Sequence, residues 1–317
     1  RSRGLGDVYK RQVQKIILKV FALFSVVRGY NLIVLILAQY LAALFIFAPE
    51  VGHRQLLTNP KLDGLILCSI LCVAAGYIIN NFYDLEKDEL KRPLQVYLQK
   101  QVSQGFKLTV YIVLNALALI IAALISWKVF VFFLVYQFLV WFYSHKINRF
   151  ALIKNFYLVV IRVMPFFALL VYFDHFTFNL ALHATFLTIL LLITDIVKDL
   201  SSQKADLIYN YDSIPIKYGI DFTKVLISCL IITELIIGII IIMKNDVGAM
   251  KYFFIASNIA FTVILFIIWR IKSSQAYKIL HYFFKGMIVA GVFSIVLIEI
   301  NPLTLQTIAQ NFNQRIN

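Results

Sequence analysis

Acidic residues gather in two short stretches of this sequence. The first reads Asn80-Asn81-Phe82-Tyr83-Asp84-Leu85-Glu86-Lys87-Asp88-Glu89; the second carries Asp195 and Asp199 with Lys198 between them and Asp206 and Asp212 beyond. Asn80, Asp84 and Asp88 are spaced i, i+4, i+8, so a helix through them gathers these positions into one polar stripe, and Asp195 and Asp199 share a face for the same reason. Hard oxygen ligands without His or Cys suit a magnesium-type ion, which prefers carboxylate, water and phosphate oxygens. Lys91, Arg92, Lys146, Arg149 and Lys198 follow or flank the acids, and cations of this kind take up phosphate charge that a metal leaves uncompensated. Acid pairs for metal ions and bases for phosphate together describe a diphosphate site.

The elements that must position these residues are membrane helices. The chain has 317 residues, 61% hydrophobic and 15% charged, with a mean hydropathy of +0.84. A soluble globule averages about 45 to 50% apolar and about 25% charged residues. The apolar residues come in runs suited to a bilayer, which needs roughly 20 residues to cross about 30 Å of hydrocarbon. Nine such runs cover 31–48, 64–83, 108–125, 129–143, 155–172, 179–193, 225–243, 252–269 and 287–300, the fifth with an expected kink at Pro165. The basic, apolar stretch 13–27 either lies in the interface or extends the first helix. No long polar insertion interrupts the series. The expected fold is all-α, a multi-pass membrane protein with nine transmembrane helices in one bundle around a central cavity, a single domain over 13–317. The first twelve residues, RSRGLGDVYKRQ, are polar and read as a non-native leader.

Topology follows from Lys and Arg, which are enriched in short cytoplasmic loops. The segments after the even-numbered runs hold Lys87, Lys91, Arg92, Lys100, Lys107, Lys146, Arg149, Lys154, Lys198, Lys204, Lys217, Lys224, Arg270, Lys272, Lys278 and Lys285; the opposite side holds Arg54, Lys61, Lys128, Lys244, Lys251 and Arg315. That imbalance places both acidic stretches, which four runs separate, on the cytoplasmic side of an inner or cell membrane. The net charge of +14 is thus topological, and no nucleic-acid motif accompanies it.

Other polar residues refine the site. Asn155 and Arg162 are seven apart on one face of the fifth run and line one interior channel. An Arg within a span is costly in lipid, which makes Arg162 either a residue beside the substrate or the partner of Glu234 in the seventh run. Cys68, Cys72 and Cys229 lie in apolar runs as small buried residues. The histidines 53, 145, 175, 183 and 281 share no spacing that suggests haem or zinc. The 28 Phe and 17 Tyr residues serve core and lipid-facing packing.

These motifs resemble those of the UbiA superfamily of intramembrane prenyltransferases. The family's first motif, N-D-x-x-D-x-x-x-D followed by Arg-Pro, is matched by Asn80, Asp84, Asp88, Arg92 and Pro93; its second by Asp195, Lys198, Asp199 and Asp206, then Ile214-Pro215 and Gly219. Arg28 and Asn31 match the family's Arg-Pro-x-Asn with Gly29 in place of proline, and Tyr143-Ser144 and Asn155 match its Tyr-Ser and later Asn. Beyond Gly29, three further places depart from the pattern. Asn81 stands where the family usually has Asp, Ser202 where an Asp is common, and Gln95-Val96 where a second Arg-Pro is usual.

The resemblance implies magnesium-dependent transfer of a prenyl chain from a polyprenyl diphosphate to a lipophilic acceptor within the lipid bilayer. Asp84, Asp88, Asp195 and Asp199 would bind magnesium, with Lys198 beside the leaving group. Arg28, Asn31, Asn80, Arg92, Tyr143, Lys146, Arg149, Asn155, Arg162 and Asp206 would contact substrate. The pairing of Lys198 with Asp199 and the Asn80 stripe look most like enzymes acting on geranylgeranylglyceryl phosphate, while 4-hydroxybenzoate-type aromatics and chlorophyll-synthase-like tetrapyrroles, favoured by Ser202, stay open as acceptors. A transporter or channel with a cytoplasm-facing acidic site is the other class that nine spans would serve. Transporters favour sites near the bilayer midplane at broken helices, whereas the acids here sit at the ends of spans two and six.

Overall fold

Polar punctuation between the apolar runs becomes helix caps. Ser103 accepts from the backbone N–H of Phe106, Ser126 from that of Val129, Thr177 from that of Leu180, and Ser273 from that of Ala276. Each satisfies one of the orphan donors at a helix start. A computed structural model describes residue 12 and residues 21–91, 93–100, 102–147, 150–208 and 212–299, with the side chains of 84–91, 93–95, 98, 245 and 246 left aside. Among the described residues all regular structure is helical, and nine helices are long and apolar enough to cross a membrane.

In chain order these are α1 (Gly29–Ala42, continued by a π-helical turn through Phe47), a short α2 (His53–Leu57), α3 (Pro60–Lys91), α4 (Pro93–Lys100), α5 (Gln104–Ile125), α6 (Trp127–His145), α7 (Ala151–Phe173), α8 (Phe178–Ser201), two short helices α9 (Gln203–Ile208) and α10 (Ile214–Tyr218), then α11 (Ile220–Met243), α12 (Lys251–Ile267) and α13 (Ser274–Ser294). The expected spans reappear, most of them lengthened by a turn or two. α7 runs as one helix across Pro165.

One expectation needs correction. The ninth span starts at Ser274, not at 287. Lys278 and Lys285 break the apolar run in the sequence, but Tyr277, Leu280, His281 and Phe284 form a buried face that carries the helix through them. Lys278 and Lys285 are therefore helical residues and not loop charges. Lys107 likewise belongs to the first turn of α5 and is buried.

The chain divides into two compact units. The first, residues 1–36 and 63–146, contains the start of α1, nearly all of α3, and α4 to α6, with α5 packed on α6. The second, residues 37–62 and 147–317, contains α7 to α13. There α8 packs on α7, α11 and α13, and α11 on α12, around Phe186, Leu190, Ile231, Phe254, Phe261 and Phe284.

Close packing sets one testable limit. A Cβ at Gly238 of α11 would fall on the side-chain amide of Asn258 in α12, whereas one at Gly105 of α5 would meet open space. Overpacking of this kind costs about 1–3 kcal/mol. Gly238→Ala should lower the thermal unfolding midpoint in detergent, and Gly105→Ala should not.

Candidate active site

In the first unit α3 does not stop where its apolar run ends but continues to Lys91, carrying the first acidic stretch on one unbroken helix. At about 100° per residue, positions 77, 80, 81, 84 and 88 fall within an arc of about 100°. The side chains of Asp84 and Asp88, and all of Arg92 and Arg149, lie outside the described residues. Asn31 donates to the Tyr77 hydroxyl at 3.0 Å, and the Arg28 guanidinium lies over the Tyr77 ring, 5.1 Å from its centroid. Arg28 and Asn31 thus reach the stripe through Tyr77, which spacing alone did not single out although it lies seven residues before Asp84.

Arg28 has φ 50°, a left-handed conformation that costs a non-glycine residue about 1–2 kcal/mol and turns the chain between the helix at 21–26 and α1. At Gly29, where the family has proline, a Cβ would meet the exposed Phe24 ring, which would have to move aside. One turn above Tyr77, Asn81 is buried. Its Oδ1 accepts from Lys107 Nζ at 2.9 Å, and its Nδ2 donates to Gln99 Oε1 at 2.8 Å. Asn80 is half-buried, Tyr143 on α6 is buried, and Lys146 just past α6 is exposed. Tyr83 and His145 Nδ1 share a hydrogen bond at 3.1 Å, with His145 stacked on Trp141.

In the second unit the two carboxylates of α8 are both held from α7. Arg162 Nη1 donates to Asp195 Oδ1 at 2.7 Å and to Oδ2 at 2.8 Å. Asn155 donates to Asp199 Oδ2 at 2.9 Å, and Lys154 Nζ lies 3.5 Å from the same oxygen. The later residue on α7 meets the earlier on α8, so the two helices run antiparallel. At about 1.5 Å rise per residue, 155 to 162 spans about 10.5 Å and 195 to 199 about 6 Å, a difference the long arginine side chain covers. Asn155 and Arg162 therefore share a face, as their spacing predicted.

The expectation that pairs Arg162 with Glu234 is corrected. Arg162 is on Asp195, while both Glu234 carboxyl oxygens are buried without a hydrogen-bond partner among the described residues. Lys154 and His281 are additions. Lys154, a loop charge by its place in the sequence, is buried. His281 of α13 donates from Nδ1 to the Thr194 carbonyl at 3.1 Å, beside Asp195, because a carbonyl only accepts. Ser202, where the family has an Asp, donates to Asp206 Oδ2 at 2.9 Å, and Asp206 is buried. Lys198 is half-buried on the same turn as Asp199.

Among the described residues no three His, Cys, Asp or Glu side chains cluster as a metal site. The α8 pair nevertheless fits a magnesium-type ion in donor chemistry. Both are carboxylates one helical turn apart, buried, and oriented by neighbours. Among the described residues both side-chain contacts to Asp199 fall on Oδ2, which leaves Oδ1 with lone pairs for a hard cation. Asp195 is different, since one guanidinium nitrogen engages both its oxygens and a metal would compete with it.

No curated protein matches this chain in sequence. Among solved structures, one of a digeranylgeranylglyceryl phosphate synthase superposes with a TM-score of 0.70 at 17% identity, covering 88% of this chain and 98% of that chain. A UbiA homologue from Archaeoglobus fulgidus bound to GPP and Mg2+ gives 0.62 at 16% identity, covering 87% and 99%. A UbiA homologue from Aeropyrum pernix K1 in its apo form gives 0.61 at 14% identity, covering 83% and 94%. These likenesses establish the fold. The model of the UbiA prenyltransferase family matches residues 37–289, a span that includes both acidic stretches and the α7 residues that hold the second. The chain belongs to the UbiA prenyltransferase family, as a multi-pass membrane prenyltransferase.

Proposed function

We propose that this enzyme transfers a prenyl chain from a polyprenyl diphosphate to a lipophilic acceptor of the geranylgeranylglyceryl phosphate type, with magnesium and on the cytoplasmic side of the membrane. The observation that carries this proposal is the Asp195 and Asp199 pair, buried one turn apart and oriented by Arg162, Asn155 and Lys154. Buried carboxylates are costly unless compensated. A site that maintains two of them beside fixed cations is organised for a metal and an anionic ligand together.

Asp84, Asp88, Asp195 and Asp199 would hold magnesium, which when bound stabilises the negative charge on the departing diphosphate. Lys198 and Arg92, together with Arg28, Lys146 and Arg149, contribute further positive charge to the phosphate oxygens. As the allylic C–O bond breaks, the bonding pair leaves with the diphosphate and positive charge develops on the prenyl carbon. Tyr143 presents an aromatic face that favours such a cation, and the apolar helices keep water from it. The acceptor hydroxyl then attacks the prenyl carbon to form the ether bond, and its proton passes to the released diphosphate. Asn31, Asn80, Asn155 and Asp206 fix the substrates and their immediate neighbours by hydrogen bonds. The glyceryl phosphate acceptor draws support from the likeness to a digeranylgeranylglyceryl phosphate synthase, and the cytoplasmic orientation from the distribution of Lys and Arg.

The test is release of diphosphate by the purified chain given geranylgeranyl diphosphate, magnesium and an acceptor. Release should require the geranylgeranylglyceryl phosphate acceptor, stop when EDTA removes the metal, and return with added magnesium. Product formed only with an aromatic or tetrapyrrole acceptor would reassign the acceptor. No release with any donor, acceptor or divalent metal would sink the proposal.

A further inference from the structure

The first acidic stripe has an amide where a third carboxylate would be in register, and that amide is bonded to a buried cation. Lys107 is 0% exposed, Asn81 5% and Gln99 4%. Lys107 donates to Asn81 Oδ1, and Asn81 Nδ2 donates to Gln99 Oε1. This network needs a residue at 81 that accepts on one atom and donates on the other. Asn does both, and one lone pair of its oxygen is thereby engaged by the ammonium.

An ammonium taken wholly out of water and bonded to a neutral amide is costly unless an anion shares its surroundings. No described carboxylate pairs with Lys107. The acids in register with Asn81 on α3 are Asp84 and Asp88, three and seven residues on. We propose that Lys107 is a resident cation of the diphosphate site, standing where a third carboxylate would otherwise recruit a metal ion and supplying one fixed positive charge to the phosphate oxygens. This proposal rests on the prenyl-transfer function.

The experiment is binding of inorganic pyrophosphate and Mn2+ to the full chain in nanodiscs, with bound Mn2+ counted by electron paramagnetic resonance and pyrophosphate affinity measured by calorimetry. Lys107→Met should weaken pyrophosphate by about tenfold or more, the scale of a lost hydrogen bond to a charged group, without changing the Mn2+ count. Lys107→Arg should restore most of the affinity. Asn81→Asp alone keeps Lys107, locks its ammonium in an ion pair, and should weaken pyrophosphate with no added Mn2+. Asn81→Asp combined with Lys107→Met should bind an additional Mn2+ and regain affinity. Unchanged affinity in Lys107→Met, an added Mn2+ in Asn81→Asp alone, or an unchanged count in the double variant overturns the proposal. Asp199→Asn separates the two levels: if it binds Mn2+ and pyrophosphate as the unaltered chain does, the prenyl-transfer assignment of the acids fails, whatever Lys107 does.

Discussion

Replacing Asp199 with Asn is expected to slow diphosphate release by about three orders of magnitude, the upper end of what one preorganised electrostatic group supplies in a water-excluded site. The substitution preserves shape and removes charge. Asp199 is buried, accepts from Asn155 and lies within 3.5 Å of Lys154. An amide at 199 presents either an NH2 group to Asn155 Nδ2, which repels it, or a neutral oxygen to Lys154. In both cases the buried ammonium of Lys154 loses its carboxylate. Breaking a buried ion pair by removing one partner costs about 3–5 kcal/mol, so some loss of thermal stability accompanies the loss of rate. Lys154→Met together with Asp199→Asn removes both charges and should recover stability without recovering rate. Asp212→Asn removes an exposed acid from the same region and should leave both unchanged. Steady-state release of diphosphate, paired with thermal unfolding of each variant, decides the matter. A rate for Asp199→Asn within tenfold of the unaltered chain would remove Asp199 from the metal-binding set.

How much of this was legible in the sequence depends on the range of the signal. The helices were, because apolar runs and their Ser and Thr punctuation are local; the expected spans and the observed caps at Ser103, Ser126 and Thr177 agree within a turn or two. The pairing of face to face on one helix was legible too, as with Asn155 and Arg162. What a helical period cannot convey is which neighbouring helix a face meets. For Arg162 the sequence offers Glu234 as a partner, and only the packing of α7 on α8 puts Asp195 in its place. Lys107 and Lys154 read as loop charges because topology counts every Lys near a span end as solvated, whereas one is bonded to Asn81 and the other to Asp199, both out of water. Lys278 and Lys285 misled in the opposite direction, concealing the first half of α13. In the sequence the residues at Gly29, Asn81 and Ser202 are visible only as departures from the family pattern. Each has a local partner, respectively the Phe24 ring, Lys107 with Gln99, and Asp206.

Arg162→Gln should tighten metal binding while it slows the reaction. In the structure one guanidinium nitrogen lies 2.7 and 2.8 Å from the two oxygens of Asp195, so a metal ion reaching that carboxylate must displace the arginine. Glutamine retains donors that can orient Asp195 but no charge to repel a cation. Without diphosphate, Mn2+ affinity should therefore rise by about tenfold, near 1.4 kcal/mol, the scale of one charge-assisted contact relinquished. Turnover should fall by about 10²-fold, because in the proposed mechanism a guanidinium that yields Asp195 to the metal would become available to the diphosphate, and the variant has nothing to offer it. Stability adds an independent readout. The metal-free variant carries a buried carboxylate without its cation and should melt lower than the unaltered chain, whereas saturating Mn2+, binding the folded state alone, should close most of that gap. A structural ion pair with no part in metal binding would give a different pattern, lower stability at every Mn2+ concentration and no gain in metal affinity. Mn2+ titration by electron paramagnetic resonance and thermal unfolding with and without the metal separate the two outcomes by the sign of the change.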